Sequence, residues 1–136
     1  MQTVHTRKRP EYRNIHITQI LRYRMPLAAT VSILHRVSGA VMFLLLPFAL
    51  WMLDTSLRSQ QSYAQLAQVL VWWPVKLVLL GLFWALAHHL VAGVRHLLMD
   101  AFQIVSKEQG RALAAGTLVL SLLATVAFAL HLFVGA

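Results

Sequence analysis

Three long apolar stretches dominate the chain, joined by two short polar connections. The first runs from Pro26 to Leu53, the second from Val69 to Met99 and the third from Ala112 to Val134. Each exceeds the roughly 20 residues needed to cross the hydrocarbon core of a bilayer. Backbone groups in lipid must be hydrogen-bonded within their own segment, so the stretches predict helices. The second, about 30 residues or roughly 45 Å at the helical rise, predicts a tilted helix or one that projects past the headgroups. The connections, 54–68 and 100–110, hold the Asp, Ser, Gln, Lys and Gly that interrupt the pattern. A short amphipathic lead-in helix is expected over Thr18–Met25, lying on the membrane. The predicted architecture is an all-α membrane protein. A basic N-terminal segment (residues 1–25) precedes a three-helix transmembrane anchor (26–136), with spans at about 26–53, 69–99 and 112–134.

Composition agrees with this pattern. Of 136 residues, 59% are hydrophobic and 12% charged, with a mean hydropathy of +0.66. Such a chain is too apolar for a disordered tail and has about half the charge usual in a soluble domain. Twelve Lys and Arg against four acids give a formal charge of +8. That excess does not indicate nucleic acid, because most of it stands ahead of the first apolar stretch. Arg7, Lys8, Arg9, Arg13, Arg22 and Arg24 face only Glu11 there. The second connection holds Lys107, with Arg111 at its edge, whereas the first holds only Arg58. The positive-inside bias therefore puts the N-terminus and the second connection on the cytoplasmic side, or the matrix side of a mitochondrial protein, and the clean N-terminus favours a bacterial inner membrane. Trp51, Trp72 and Trp73 belong at the opposite interface. No apolar core lies early enough for a secretory signal. The absence of cysteine excludes disulfides, thiolate metal sites and cysteine nucleophiles, so any metal must be held by His, carboxylate or Met.

The candidate chemistry lies in polar residues placed where lipid makes them costly. Ser32, His35, Arg36 and Gly39 recur at i, i+3, i+4 and i+7, one face of the first span. A hydroxyl, an imidazole and a guanidinium there suit a quinone carbonyl or a carboxylate such as a haem propionate. Gly39 permits close approach to the backbone. The plainer alternative, that Arg36 only snorkels to the headgroups, leaves the Ser and His unexplained. In the second span His89, Gly93 and His96 share a face, with Arg95 and Asp100 toward the cytoplasmic end. An imidazole in hydrocarbon beside a glycine is the pattern of an axial haem ligand; hydrogen bonding between helices is the competing explanation. His88 points about 100° away from His89 and is assigned no role. His131 sits too far along the third span to be a second ligand, and His35 suits a propionate better. A partner subunit is therefore expected to complete both the iron and the helical bundle. Lys76 is expected to snorkel, Asp54 to mark a helix end, and Asp100 to pair with Arg95 or with a partner chain.

At these residues the chain resembles the cytochrome b556 membrane-anchor subunits of succinate dehydrogenase, the C subunits of respiratory complex II. The matching segments are Arg9-Pro10, Ser32 through Gly39, and the pattern H-x-x-x-G-x-R-H-x-x-x-D from His89 to Asp100. The resemblance implies a haem b shared with a second anchor (D) subunit, with His89 as axial iron ligand. It implies ubiquinone as substrate at Ser32 and Arg36, and His35 and Arg36 near the haem propionates. His96 matches the motif and ranks below His89 as a cofactor contact. FAD and Fe–S clusters would lie in the flavoprotein and iron–sulfur partner subunits. No residue of this chain is assigned to succinate oxidation itself. Two other readings stay open: the haem-carrying anchor of a fumarate reductase, and a small transporter or proton relay.

Overall fold

The computed structural model describes residues 14–104 and 106–135. Arg7, Lys8, Arg9, Pro10, Glu11 and Arg13, on which much of the charge asymmetry rests, lie outside them. Five helices follow in order: α1 (Ile17–Arg22), α2 (Leu27–Arg58), α3 (Gln60–Leu70), α4 (Trp73–Ala101) and α5 (Lys107–Val134). The second, fourth and fifth are long and apolar enough to cross a membrane. The chain is thus an all-helical, multi-pass membrane protein.

The helices begin and end where local chemistry dictates. Pro26 fixes an extended backbone before α2, and Pro74 in the first turn of α4 costs no intrahelical bond. Helix α4 closes on a Schellman motif. Ile104 N–H donates to Met99 O at 2.9 Å and Gln103 N–H to Asp100 O at 3.3 Å, with Gln103 in the left-handed region at φ 50°. Ser106 then caps α5 by accepting from Gln109 N–H at 3.2 Å.

Several sequence expectations change. The first connection contains α3, started by a reciprocal capping box between Ser59 and Ser62. Its Gln-rich sequence is too polar to register as a span, yet glutamine is a good helix former. The apolar stretch beginning at Val69 is therefore split by the break at Val71–Trp72. Asp54 does not end α2; it forms an i,i+4 ion pair with Arg58 inside the helix. Gly110 does not break the chain but lies within α5, buried. The lead-in helix is shorter than expected, covering Ile17–Arg22.

Helix α4 packs between α2 and α5, and α2 also touches α5. Paired contacts show that neighbours run antiparallel: Gly39 meets His89 while Gly93 meets His35, and Lys76 meets Leu132 while Arg95 meets Gly110. The seam between α4 and α5 is built from Ala85, His88, Ala92 and Arg95 on one side and Gly110, Ala114, Thr117 and Ser121 on the other. Small residues let two backbones approach closely, which replaces the hydrophobic effect as the packing force in lipid. Large side chains such as Phe43, Leu44, Leu97 and Leu123 face outward.

Cations of α4 fasten both ends of this seam. Lys76 Nζ donates to Leu132 O at 2.8 Å and lies over the Phe133 ring. It therefore occupies one of the terminal carbonyls that α5 leaves unpaired instead of snorkelling. At the other end Arg95 Nη2 donates to Gly110 O at 3.4 Å. Asp100 is exposed and does not pair with Arg95; among the described residues the one ion pair is Arg58–Asp54. Lys76 and Arg95 stand about 28 Å apart along α4 at the helical rise, close to the roughly 30 Å of a bilayer core.

Replacing Ala114 by Leu should overpack the seam and lower stability by about 1–3 kcal/mol. The change Val119→Leu, at an exposed position of α5, should be close to neutral. Thermal unfolding in detergent, followed by circular dichroism, measures both; equal behaviour of the two variants would contradict the seam.

Candidate functional site

The site grows from the crossing of α2 and α4. The period of α2 presents His35, Ser38 and Gly39 toward α4, and the period of α4 presents His89, Gly93 and His96 toward α2. The His35 and His89 rings stack, with centroids 4.1 Å apart and planes inclined by 16°. His96 is tilted against His35 at 5.4 Å. Three of the sequence-selected imidazoles thus form one cluster.

The two glycines play unequal parts. A Cβ on Gly39 would stand 2.8 Å from His89 Cε1, closer than real Cβ atoms approach, and a tight 3.2 Å from Nδ1. Gly39 is therefore the notch in α2 that admits the His89 ring. A Cβ on Gly93 would meet His35 Nε2 at 3.5 Å, an ordinary contact. The close approach expected at Gly39 is made by an imidazole of the neighbouring helix.

Seated in that notch, His89 Nδ1 lies 3.0 Å from the His35 carbonyl oxygen and 3.3 Å from Ser38 Oγ. Ser38 donates its own hydroxyl proton to the same carbonyl at 2.9 Å. A carbonyl oxygen only accepts, so Nδ1 of His89 carries the ring proton and donates. In the neutral ring that leaves Nε2 as a bare lone pair. Nε2 has no hydrogen-bond partner among the described residues and is not enclosed by them. Metal-binding histidines are commonly held in this way, with one nitrogen fixed by a backbone carbonyl and the other free to ligate. The residues present therefore fit an iron held at His89 Nε2.

Ser38 was not selected from the sequence. It is buried, and its position beside Gly39 in the Ser-Gly pair was the available signal. Only the crossing of the two helices reveals that it faces His89.

Ser32 and Arg36 occupy a different part of the α2 surface. Arg36 is exposed and Ser32 half-buried. Neither makes a side-chain hydrogen bond among the described residues, whereas Ser38, Ser56, Ser121, Thr117 and Thr125 all donate to carbonyls of their own helices. The Ser32 hydroxyl and the Arg36 guanidinium are thus left with their donors uncommitted. The structure does not bring them into the His35–His89 hydrogen-bond network.

The remaining histidines diverge, as their helical positions require. His88 is fully buried, its ring tilted against Trp84 of the preceding turn, and neither of its ring nitrogens has a partner among the described residues. His131 is exposed, next to the Leu132 carbonyl that Lys76 holds. Lys76 and His89 are thirteen residues apart on α4, so His131 lies about 20 Å from the level of His89.

Comparison with known proteins places the chain in a family. Residues 6–133 match the family described as succinate dehydrogenase/fumarate reductase transmembrane subunit. The succinate dehydrogenase cytochrome b556 subunit of Paracoccus denitrificans is 36% identical over 110 residues, covering 78% of this chain and 85% of that protein. The corresponding subunit of Coxiella burnetii is 36% identical over 122 residues, covering 88% and 92%. That of Rickettsia typhi is 33% identical over 78 residues, covering 57% and 60%. With the three spans and the helix crossing, these matches establish that the chain belongs to the succinate dehydrogenase/fumarate reductase transmembrane subunit family.

Proposed function

We propose that this chain is the haem b-carrying membrane anchor of a succinate dehydrogenase and forms part of the site where ubiquinone is reduced. The observation that carries the proposal is the His89 imidazole, fixed by a backbone carbonyl through Nδ1 with Nε2 left bare. The names of the relatives as cytochrome b556 subunits support the same reading.

His89 Nε2 would hold the haem iron, together with a ligand supplied by a second anchor subunit. His35, Arg36 and His96 supply the polar groups available to the propionates. When bound, a b-type haem would supply a one-electron redox centre. The chain's own contribution to that centre is orientation: the His35 carbonyl and Ser38 fix the ring and its tautomer, and Gly39 provides its seat.

Quinone reduction takes two electrons and two protons to give a quinol. The electrons would come from the iron–sulfur partner, which receives them from succinate through the flavoprotein. Ser32 would donate a hydrogen bond to one quinone oxygen. Arg36 would stabilise the negative charge that develops as electrons arrive, an effect that grows where water is excluded. The oxidation of succinate itself would need no residue of this chain. The N-terminus would face the cytoplasm of a bacterial inner membrane, an orientation supported by the basic N-terminal segment under the positive-inside bias.

Two measurements test these roles. His89→Ala should change the spin state of the haem spectrum or abolish the pigment in the purified complex. Gly39→Val, which touches no ligand atom, should do the same by displacing the ring. A wild-type complex without porphyrin, or an unchanged spectrum in both variants, would refute the assignment. Ser32→Ala and Arg36→Leu should each lower succinate–quinone activity by about 10²-fold or more, the scale seen when one donor to a developing charge is removed. Succinate oxidation with an artificial dye acceptor should persist, and parallel loss of both activities would count against a quinone role.

A further inference from the structure

Apart from the histidine cluster, the molecule has a second polar feature without an explanation. A cavity of about 640 Å³ opens among the start of α2, the last turns of α4 and the start of α5. Leu27 and Met99 contribute apolar wall, and Arg95, Lys107 and Arg111 contribute three cations. Neither Asp100 nor Glu108 lines it.

Arg95 is the decisive residue. It is 5% exposed, and its one hydrogen bond among the described residues runs through Nη2 to Gly110 O at 3.4 Å. Its Nε and Nη1 are buried with no partner among the described residues. A guanidinium withdrawn from water with two nitrogens unmatched is unfavourable unless an anion meets it. Its planar fork suits the paired oxygens of a phosphate or carboxylate.

Depth and wall chemistry select among anions. Arg95 stands six residues inside the end of α4, about 9 Å along the axis, while Lys107 and Arg111 belong to the first turns of α5. The cations therefore run from the membrane–water boundary to just beneath it, where phospholipid phosphates lie. The volume greatly exceeds what a phosphate ion fills, and the apolar walls suit the glycerol and first acyl carbons. Basic pockets between transmembrane helices at this level bind anionic headgroups.

We propose that this cavity is a binding site for the phosphodiester of an anionic phospholipid, with Arg95 as its floor and Lys107 and Arg111 at its rim. The lipid would complete the hydrogen bonding of Arg95 and join the ends of the three spans. The site uses none of the residues assigned to haem or quinone and stands apart from that assignment.

The test is native mass spectrometry of the complex purified with its partner subunits. After delipidation it is titrated with phosphatidylglycerol, with phosphatidylethanolamine and with inorganic phosphate. The wild type should retain phosphatidylglycerol in preference to phosphatidylethanolamine, and phosphate alone should not displace it. Each cation removed should weaken binding by about fivefold, the equivalent of roughly 1 kcal/mol per basic residue. Arg95→Gln reports on the floor. The double variant Lys107→Gln with Arg111→Gln, both exposed, guards against misfolding of the first. Equal retention of both lipids, or unchanged affinity in the double variant, would overturn the proposal. Displacement by phosphate alone would make it a free-anion site instead. A partner subunit's carboxylate found against Arg95, with no lipid retained, would also overturn it.

Discussion

The hydrogen bond from His89 Nδ1 to the His35 carbonyl depends on a helix crossing tight enough for a ring on α4 to reach the backbone of α2. Any side chain at position 39 would force the His89 ring to shift from this seat. One missing methyl group thus controls helix spacing, ring orientation and tautomer together. The tautomer decides which nitrogen keeps its lone pair, and so whether the histidine can serve as a ligand. Ser38, donating to the same carbonyl from the next position, makes the arrangement a small network rather than one contact.

The same economy appears in the α4–α5 seam. In water the largest apolar residues would be buried, but here the buried positions are small or polar and the large side chains face out. Lipid tails are as apolar as leucine, so burial of Leu or Phe gains little. Close contact of backbones and the pairing of scarce polar groups therefore determine the packing. Lys76 and Arg95 illustrate the second principle, each reaching a carbonyl of α5 near one end of the seam.

The two faces of α4 consequently serve different ends. The face toward α2 carries His89 and His96, with Gly93 between them. The face toward α5 carries His88 and Arg95, buried among small residues. A motif that looks continuous in sequence, from His88 to Asp100, is divided in space by the 100° turn per residue. His89 and Arg95, six residues apart, point about 120° apart around their helix and can answer to different ligands.

Hydropathy and helical period determined much of this from sequence. Three spans follow from the length of the apolar runs, because lipid leaves a backbone no alternative to the helix. The clustering of His35, His89 and His96 was partly legible, since each helix's period placed its own members on one face. The tertiary structure decided what periodicity within a single helix cannot express. It seated His89 against Gly39, brought Ser38 to the same carbonyl, turned Lys76 onto the end of α5 and directed Arg95 to Gly110 instead of Asp100. It also resolved α3, whose polar sequence carries no hydropathy signal but whose serine cap and glutamines favour a helix. Sequence spacing fixes the angle of a side chain about its own axis; the distance to a neighbouring helix depends on which small residues meet at the crossing, and that requires both chains of contact at once.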